Sequence, residues 1–160
     1  MKITYHLKPK LITAAFFAFL CLSSCHPLSC IWDLGFDKVK NIQKDSLIGN
    51  YDLTDYSKKM MRYEGNYKGN LNSEIILKSN NTFEIVNAPD WLINDFGEAH
   101  GQYITKSGKW NLSCENGTCI MELEGVQAGE IVFQKSNKLY ILLSIGDTDD
   151  CQGLAYMKNQ

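Results

Sequence analysis

The sequence predicts an all-β protein, an antiparallel up-and-down barrel of eight or nine strands, on three observations. Short stretches of apolar alternation recur from residue 47 to residue 158, the period-2 signature of strands with one buried face. Clusters of turn formers separate them: Ser79-Asn80-Asn81, Ser107-Gly108, Asn116-Gly117 and Ser136-Asn137. Hairpins that link consecutive strands in this way favour the up-and-down order over a sandwich.

In chain order the strands are expected at residues 47–53, 74–78, 82–87, 102–106, 109–114, 118–123, 130–135, 138–145 and 154–158. Residues 55–64 and 88–100 are the two long breaks, and the first is expected to hold a short helix from Ser57 to Arg62. The sharpest local signal is Cys114-Glu115-Asn116-Gly117-Thr118-Cys119. Asn-Gly specifies a type I′ hairpin, so Glu115 faces Thr118 and Cys114 faces Cys119 in the closer, non-hydrogen-bonded pair. That spacing suits a cross-strand disulfide. The same register sets Leu112 opposite Met121 and Trp110 opposite Leu123, leaving Asn111, Ser113 and Glu122 among the polar residues of the other face. A slip of one residue would bury those polar groups. A C-x4-C hairpin has no helix start to lower a thiol pKa, so the pair reads as structural and not as a redox dithiol.

Residues 1–24 have a different composition. Lys2, His6, Lys8 and Lys10 precede an apolar run from Leu11 to Leu22, which is too short for the roughly 20 residues of a membrane-crossing helix. The run ends Leu22-Ser23-Ser24-Cys25, which resembles the lipobox of bacterial lipoproteins. That resemblance implies a signal peptide over 1–24, cleavage before Cys25, and lipid (diacylglyceryl and acyl chains such as palmitate) on Cys25. Two or more chains anchor stably where one does not. His26 stands where retention in the inner membrane would place Asp, and no acidic cluster follows. By resemblance this implies the periplasmic face of the outer membrane.

Loss of Lys2, Lys8 and Lys10 leaves 13 basic and 18 acidic residues in the mature chain, a balance that disfavours nucleic-acid binding. The 136 mature residues fit one domain, divided into a lipidated amino-terminal segment over 25–46 and a barrel domain over 47–160. With Cys21 removed and Cys25 alkylated, Cys30, Cys114, Cys119 and Cys151 remain, an even number suited to an oxidising space. Four cysteines allow three pairings. The hairpin selects Cys114 with Cys119, and Cys30 is then expected to join Cys151. Ile31, Trp32, Leu34, Phe36, Val39 and Ile42 are too apolar for a solvated tether, so residues 30–43 are expected to pack against one end of the barrel.

Leu47-Ile48-Gly49-Asn50-Tyr51-Asp52-Leu53, Asn81-Thr82-Phe83-Glu84-Ile85, Ser107-Gly108-Lys109-Trp110-Asn111-Leu112 and Tyr156-Met157-Lys158 resemble segments of small bacterial lipocalin-like lipoproteins. Pro89-Asp90-Trp91 and Gly146-Asp147-Thr148-Asp149 are similar to a loop and a turn in a set of uncharacterised envelope lipoproteins. The resemblance spans residues 47–158 and implies a lipocalin-like barrel. It also implies, at the level of fold analogy only, a small apolar ligand inside it.

The 88–100 loop combines carboxylates, a histidine and aromatics. Its expected role is a lid in which Trp91 and Phe96 pack over a barrel mouth. His100 lacks the spacing of a metal site, and no metal or cofactor is expected. Asp147, Asp149 and Asp150 fail the EF-hand series, which would need an oxygen ligand at Cys151 and glycine at Gln152. The chain shows no G-x-S-x-G elbow, S-x-x-K motif, P-loop or dinucleotide fingerprint, so no enzyme activity is expected. Two functions stand: an envelope lipoprotein that binds a small apolar ligand in its barrel, or an interaction module that docks another envelope protein. A cavity of a few hundred Å³ would mark the first, and a lumen filled by residues such as Trp110, Phe83, Ile85, Tyr140 and Leu142 the second.

Overall fold

A computed structural model describes residues 30–94, 98–126, 130–146 and 151–159. Its strands are β1 (Asp37–Lys38), β2 (Gly49–Leu53), β3 (Glu74–Leu77), β4 (Thr82–Pro89), β5 (Tyr103–Glu115), β6 (Thr118–Leu123), β7 (Glu130–Lys135), β8 (Lys138–Ser144) and β9 (Gly153–Lys158), with one helix, α1 (Asp55–Tyr63). From β2 to β9 each strand pairs antiparallel with the next, and β9 returns to pair with β2. The result is the expected lipocalin-like up-and-down barrel.

Turn chemistry places the hairpins. Asn116 and Gly117 take φ of 51° and 76°, and Ser136 and Asn137 take 51° and 61°, the double positive φ of a type I′ turn. The register at the first of these is the one expected, with Cys114 opposite Cys119, Leu112 opposite Met121 and Trp110 opposite Leu123.

Ser107-Gly108 is not a turn. β5 runs without interruption from Tyr103 to Glu115, so the two strands expected at 102–106 and 109–114 are one. Its first half pairs with β4 and its second half with β6. Gly108 serves close packing: a Cβ there would stand 3.0 Å from Phe83 Cε1 and 3.1 Å from Glu124 Cβ. β4 bends as well. Its register shifts between Ile85 and Ala88, where Asn87 takes φ of 53° and donates from Nδ2 to the carbonyls of Asn70 and Asn72.

Between β6 and β7 two pairs are seen among the described residues, Ile120–Ile131 and Met121–Glu130. Beyond that point the amino-terminal segment enters the gap. Val39 N donates to Val132 O at 3.2 Å, and Cys119 N donates to Val39 O at 3.1 Å. β1 then pairs with β7 through Asp37–Gln134 and Lys38–Phe133, as a ninth strand.

Both ends are covered. At one, α1 is started by Thr54, whose Oγ1 accepts from Ser57 N at 3.3 Å, and it buries Ser57, Met60 and Met61 at helical spacing. This is the helix expected at 57–62, one turn longer in all. At the other end, a 3₁₀ turn at Lys44–Leu47 buries Leu47, whose carbonyl accepts from Tyr51 Oη at 2.7 Å. Between the two covers, Tyr51, Leu53, Ile75, Leu77, Phe83, Ile85, Trp110, Met121, Leu123, Val132, Ile141, Leu143, Leu154 and Tyr156 join Met60 and Met61 in one buried cluster. Every strand from β2 to β9 contributes to it.

A second, smaller cluster lies outside the wall. Ile31, Leu34 and Phe36 cross the outer face of β7, β8 and β9 and cover Phe133, Tyr140, Leu142 and Ala155. Tyr140 and Leu142, named above as residues that could fill the lumen, therefore face outward, while Ile141 and Leu143 between and beside them face in. The segment before β2 packs on the barrel, but not wholly at one end as expected for residues 30–43. Its first part lies along the wall as a strap, and residues 42–47 reach the end.

Candidate functional site

The 88–100 region was the first candidate. Its Trp91 is not a cover over an open mouth: at 3 % exposure it belongs to the main core. A 3₁₀ turn at Asp90–Leu92 points it inward, where it stacks on Tyr67 with ring centroids 6.1 Å apart. Phe96, the other residue of the expected lid, lies outside the described residues.

The chemistry of this region centres on Asp90, a buried carboxylate at 5 % exposure. Tyr67 Oη donates to Oδ1 at 2.5 Å and Gln102 N to the same oxygen at 3.3 Å. Oδ2 accepts from Asn94 Nδ2 at 3.2 Å and from His100 N at 3.3 Å. Tyr67 Oη also accepts from Trp91 N at 2.9 Å, so one phenol ties the carboxylate to the backbone beside it. Burial, and then the bond to Asp90, push the Tyr67 phenol well above its usual range.

His100 stands at the edge of this network. Its Nδ1 is 2.7 Å from Asn94 Nδ2 and 3.4 Å from Asp90 Oδ2, and its Nε2 is 3.7 Å from Glu98 Oε2. Among the described residues no hydroxyl or thiol bonds to the ring, so the pair lacks the nucleophile–base contact of covalent catalysis. No group of three or more His, Cys, Asp or Glu side chains among the described residues is placed to hold a metal ion. The arrangement does one thing well, which is to fold the loop against the end of the barrel. Tyr67 precedes Asp90 by 23 residues, so nothing local in the sequence marks the two as partners.

A second candidate lies where β5 passes from β4 to β6. A depression of about 470 Å³ is lined by Lys44, Asn81, Lys109, Trp110, Glu122 and Glu124 together with Asn111 and Leu123. Trp110 forms its floor. The indole Nε1 donates to Lys78 O at 3.2 Å, and the Lys44 ammonium lies 4.6 Å above the ring centroid. Glu124 Oε2 accepts from Lys109 N at 2.9 Å. Lys44 over Trp110 was not legible in the sequence, since the contact depends on the 3₁₀ turn that carries Lys44 back over β5.

The cysteines pair as expected. Cys114 joins Cys119 across the hairpin, and Cys30 joins Cys151, fixing the start of the strap beside the β8–β9 connection. Ile31 N donates to Cys151 O at the same place. Cys25 and the turn bearing Asp147, Asp149 and Asp150 lie outside the described residues.

Comparison with protein-family models, with curated proteins and with solved structures gives no match.

Proposed function

We propose that this chain is an envelope lipoprotein, exported by residues 1–24 and lipidated on Cys25, and that its barrel is a non-catalytic module that docks another envelope protein. Anchoring on the periplasmic face of the outer membrane is supported by the basic start, the short apolar run and Leu22-Ser23-Ser24-Cys25, with His26 after it. Two disulfides in a domain of this size agree with an oxidising compartment.

The observation that carries the docking role is the filled lumen. Side chains from all eight strands of the ring meet in one buried cluster that α1 and the Lys44–Leu47 turn cover at its ends. Opening roughly 300 Å³ in such a core, the lower bound for a ligand pocket, would cost about 7 kcal/mol at about 24 cal/mol per Å³. That is comparable to the whole stability of a domain, about 5–15 kcal/mol. A barrel whose lumen is filled by its own side chains is suited to presenting its outer surface.

One observation favours a second reading, a small-ligand carrier. The depression over Trp110 has the volume of a ligand site, although its charged rim fits a polar molecule and not an apolar one.

Two measurements test the proposal. Labelled palmitate enters the wild-type protein in its host and does not enter Cys25→Ala. Native mass spectrometry of the protein purified from its own envelope then shows a bound polypeptide, whereas a retained small mass would replace docking with the carrier reading.

A further inference from the structure

We infer that the barrel end carrying Cys30, Cys151 and α1 rests on the bilayer, with the exposed face of α1 against anionic phospholipid headgroups. This rests on the lipid anchor proposed above. If Cys25 carries the lipid, five residue steps separate it from Cys30, and a fully extended chain of that length spans at most about 18 Å. Cys30 is in turn fixed to Cys151. The tether therefore ends at one known place on the barrel, and it is too short to let that place wander far from the membrane.

α1 stands beside that place. Tyr56, in its first turn, packs against the cluster that contains Ile31, the residue after Cys30. Since Met60 and Met61 are buried in the lumen cluster, the opposite face of the helix looks outward from the same end of the barrel. That face is basic and aromatic. Lys59, Arg62 and Tyr63 are exposed, Tyr63 to 66 %, and Lys58 is half-buried. Beyond the helix, Tyr103 Oη donates to the carbonyl of Lys68, itself exposed, at 2.8 Å.

The charge is out of character for the molecule. A mature chain with more carboxylates than ammonium groups has three cations within five residues of helix; Lys58 pairs with Asp55 at 3.9 Å, which leaves Lys59 and Arg62 as the charges of the outward face, with Glu64 just past the helix end. Lysine and arginine beside an interfacial aromatic is the composition of a surface that lies on an anionic bilayer. The attraction acts only within about 8 Å at physiological salt, a range that the short tether allows.

The test uses the lipidated mature chain reconstituted into phosphatidylethanolamine vesicles with and without phosphatidylglycerol. Amine acetylation is followed residue by residue by peptide mass spectrometry, with vesicle flotation measured in parallel. Lys59 is expected to react about fivefold more slowly when phosphatidylglycerol is present, the factor given by one favourable contact between a cation and an anionic surface. Lys78 and Lys138, at the far end of the barrel, react at the same rate in both vesicles. Arg62→Glu, at an exposed position, returns Lys59 towards the unprotected rate while the protein still floats. A protein that floats with Lys59 reacting as fast as Lys138 overturns the orientation and leaves the anchor standing. A protein that does not float overturns both.

Discussion

Asp90 shows what a single buried charge demands of its surroundings. A carboxylate taken out of water costs several kcal/mol unless hydrogen bonds replace its hydration. Here the Tyr67 hydroxyl, two backbone N–H groups and the Asn94 amide do so. Tyr67→Phe removes the shortest of these bonds and also leaves Trp91 N without its acceptor, so it is expected to cost about 2–3 kcal/mol in urea unfolding. Tyr156 provides the comparison: its hydroxyl shares a neutral bond of 2.9 Å with Ser73, and Tyr156→Phe is expected to cost about 1 kcal/mol. Equal losses in the two variants would mean that the Asp90 network contributes no more than an ordinary pair. The sequence marked Trp91 as notable and left its partner unnamed. An aromatic in a long polar loop reads as a cover, and the signal that turns it inward is a tyrosine on another segment.

Among the elements, those set by neighbours in sequence were legible and those set by distant partners were not. Asn116-Gly117 fixed a hairpin and its register because type I′ geometry admits few other residues. Ser107-Gly108 looked equally like a turn, yet its glycine answers to Phe83 and Glu124 across the sheet, a crowding that no local pattern records. The strap was foreseen from its apolar residues but not its course, because Val39 enters a gap that exists only where β6 and β7 part. The two disulfides also differ by what they connect. Cys30–Cys151 closes 121 residues and Cys114–Cys119 closes 5. By loop-closure entropy, replacing the first pair with serine should cost about 5 kcal/mol and the second about 2 kcal/mol. Denaturant unfolding of the two double variants measures the difference. If the hairpin bridge proved the costlier, the strap would not be a constraint on the unfolded chain as argued.

For the whole molecule, filling the barrel has a consequence that pH can read. Tyr51, Tyr67 and Tyr156 are each at most 2 % exposed, and burial raises each phenol well above the unfolded value of about 10. The proton is then held more tightly by the folded protein than by the unfolded chain. Below pH 10 both states are protonated and the stabilisation is complete. Above it the unfolded chain ionises first, and stability falls by about 1.4 kcal/mol per pH unit for each phenol. Three such groups give a combined slope near 4 kcal/mol per unit, enough to unfold a domain of ordinary stability within two or three units. Urea midpoints measured from pH 8 to pH 11 should therefore hold steady and then drop steeply past pH 10. Tyr156→Phe should reduce that slope by about a third. A lumen wet enough to hold a ligand would let these phenols ionise near their free value, and the midpoint would then pass through pH 10 without a break.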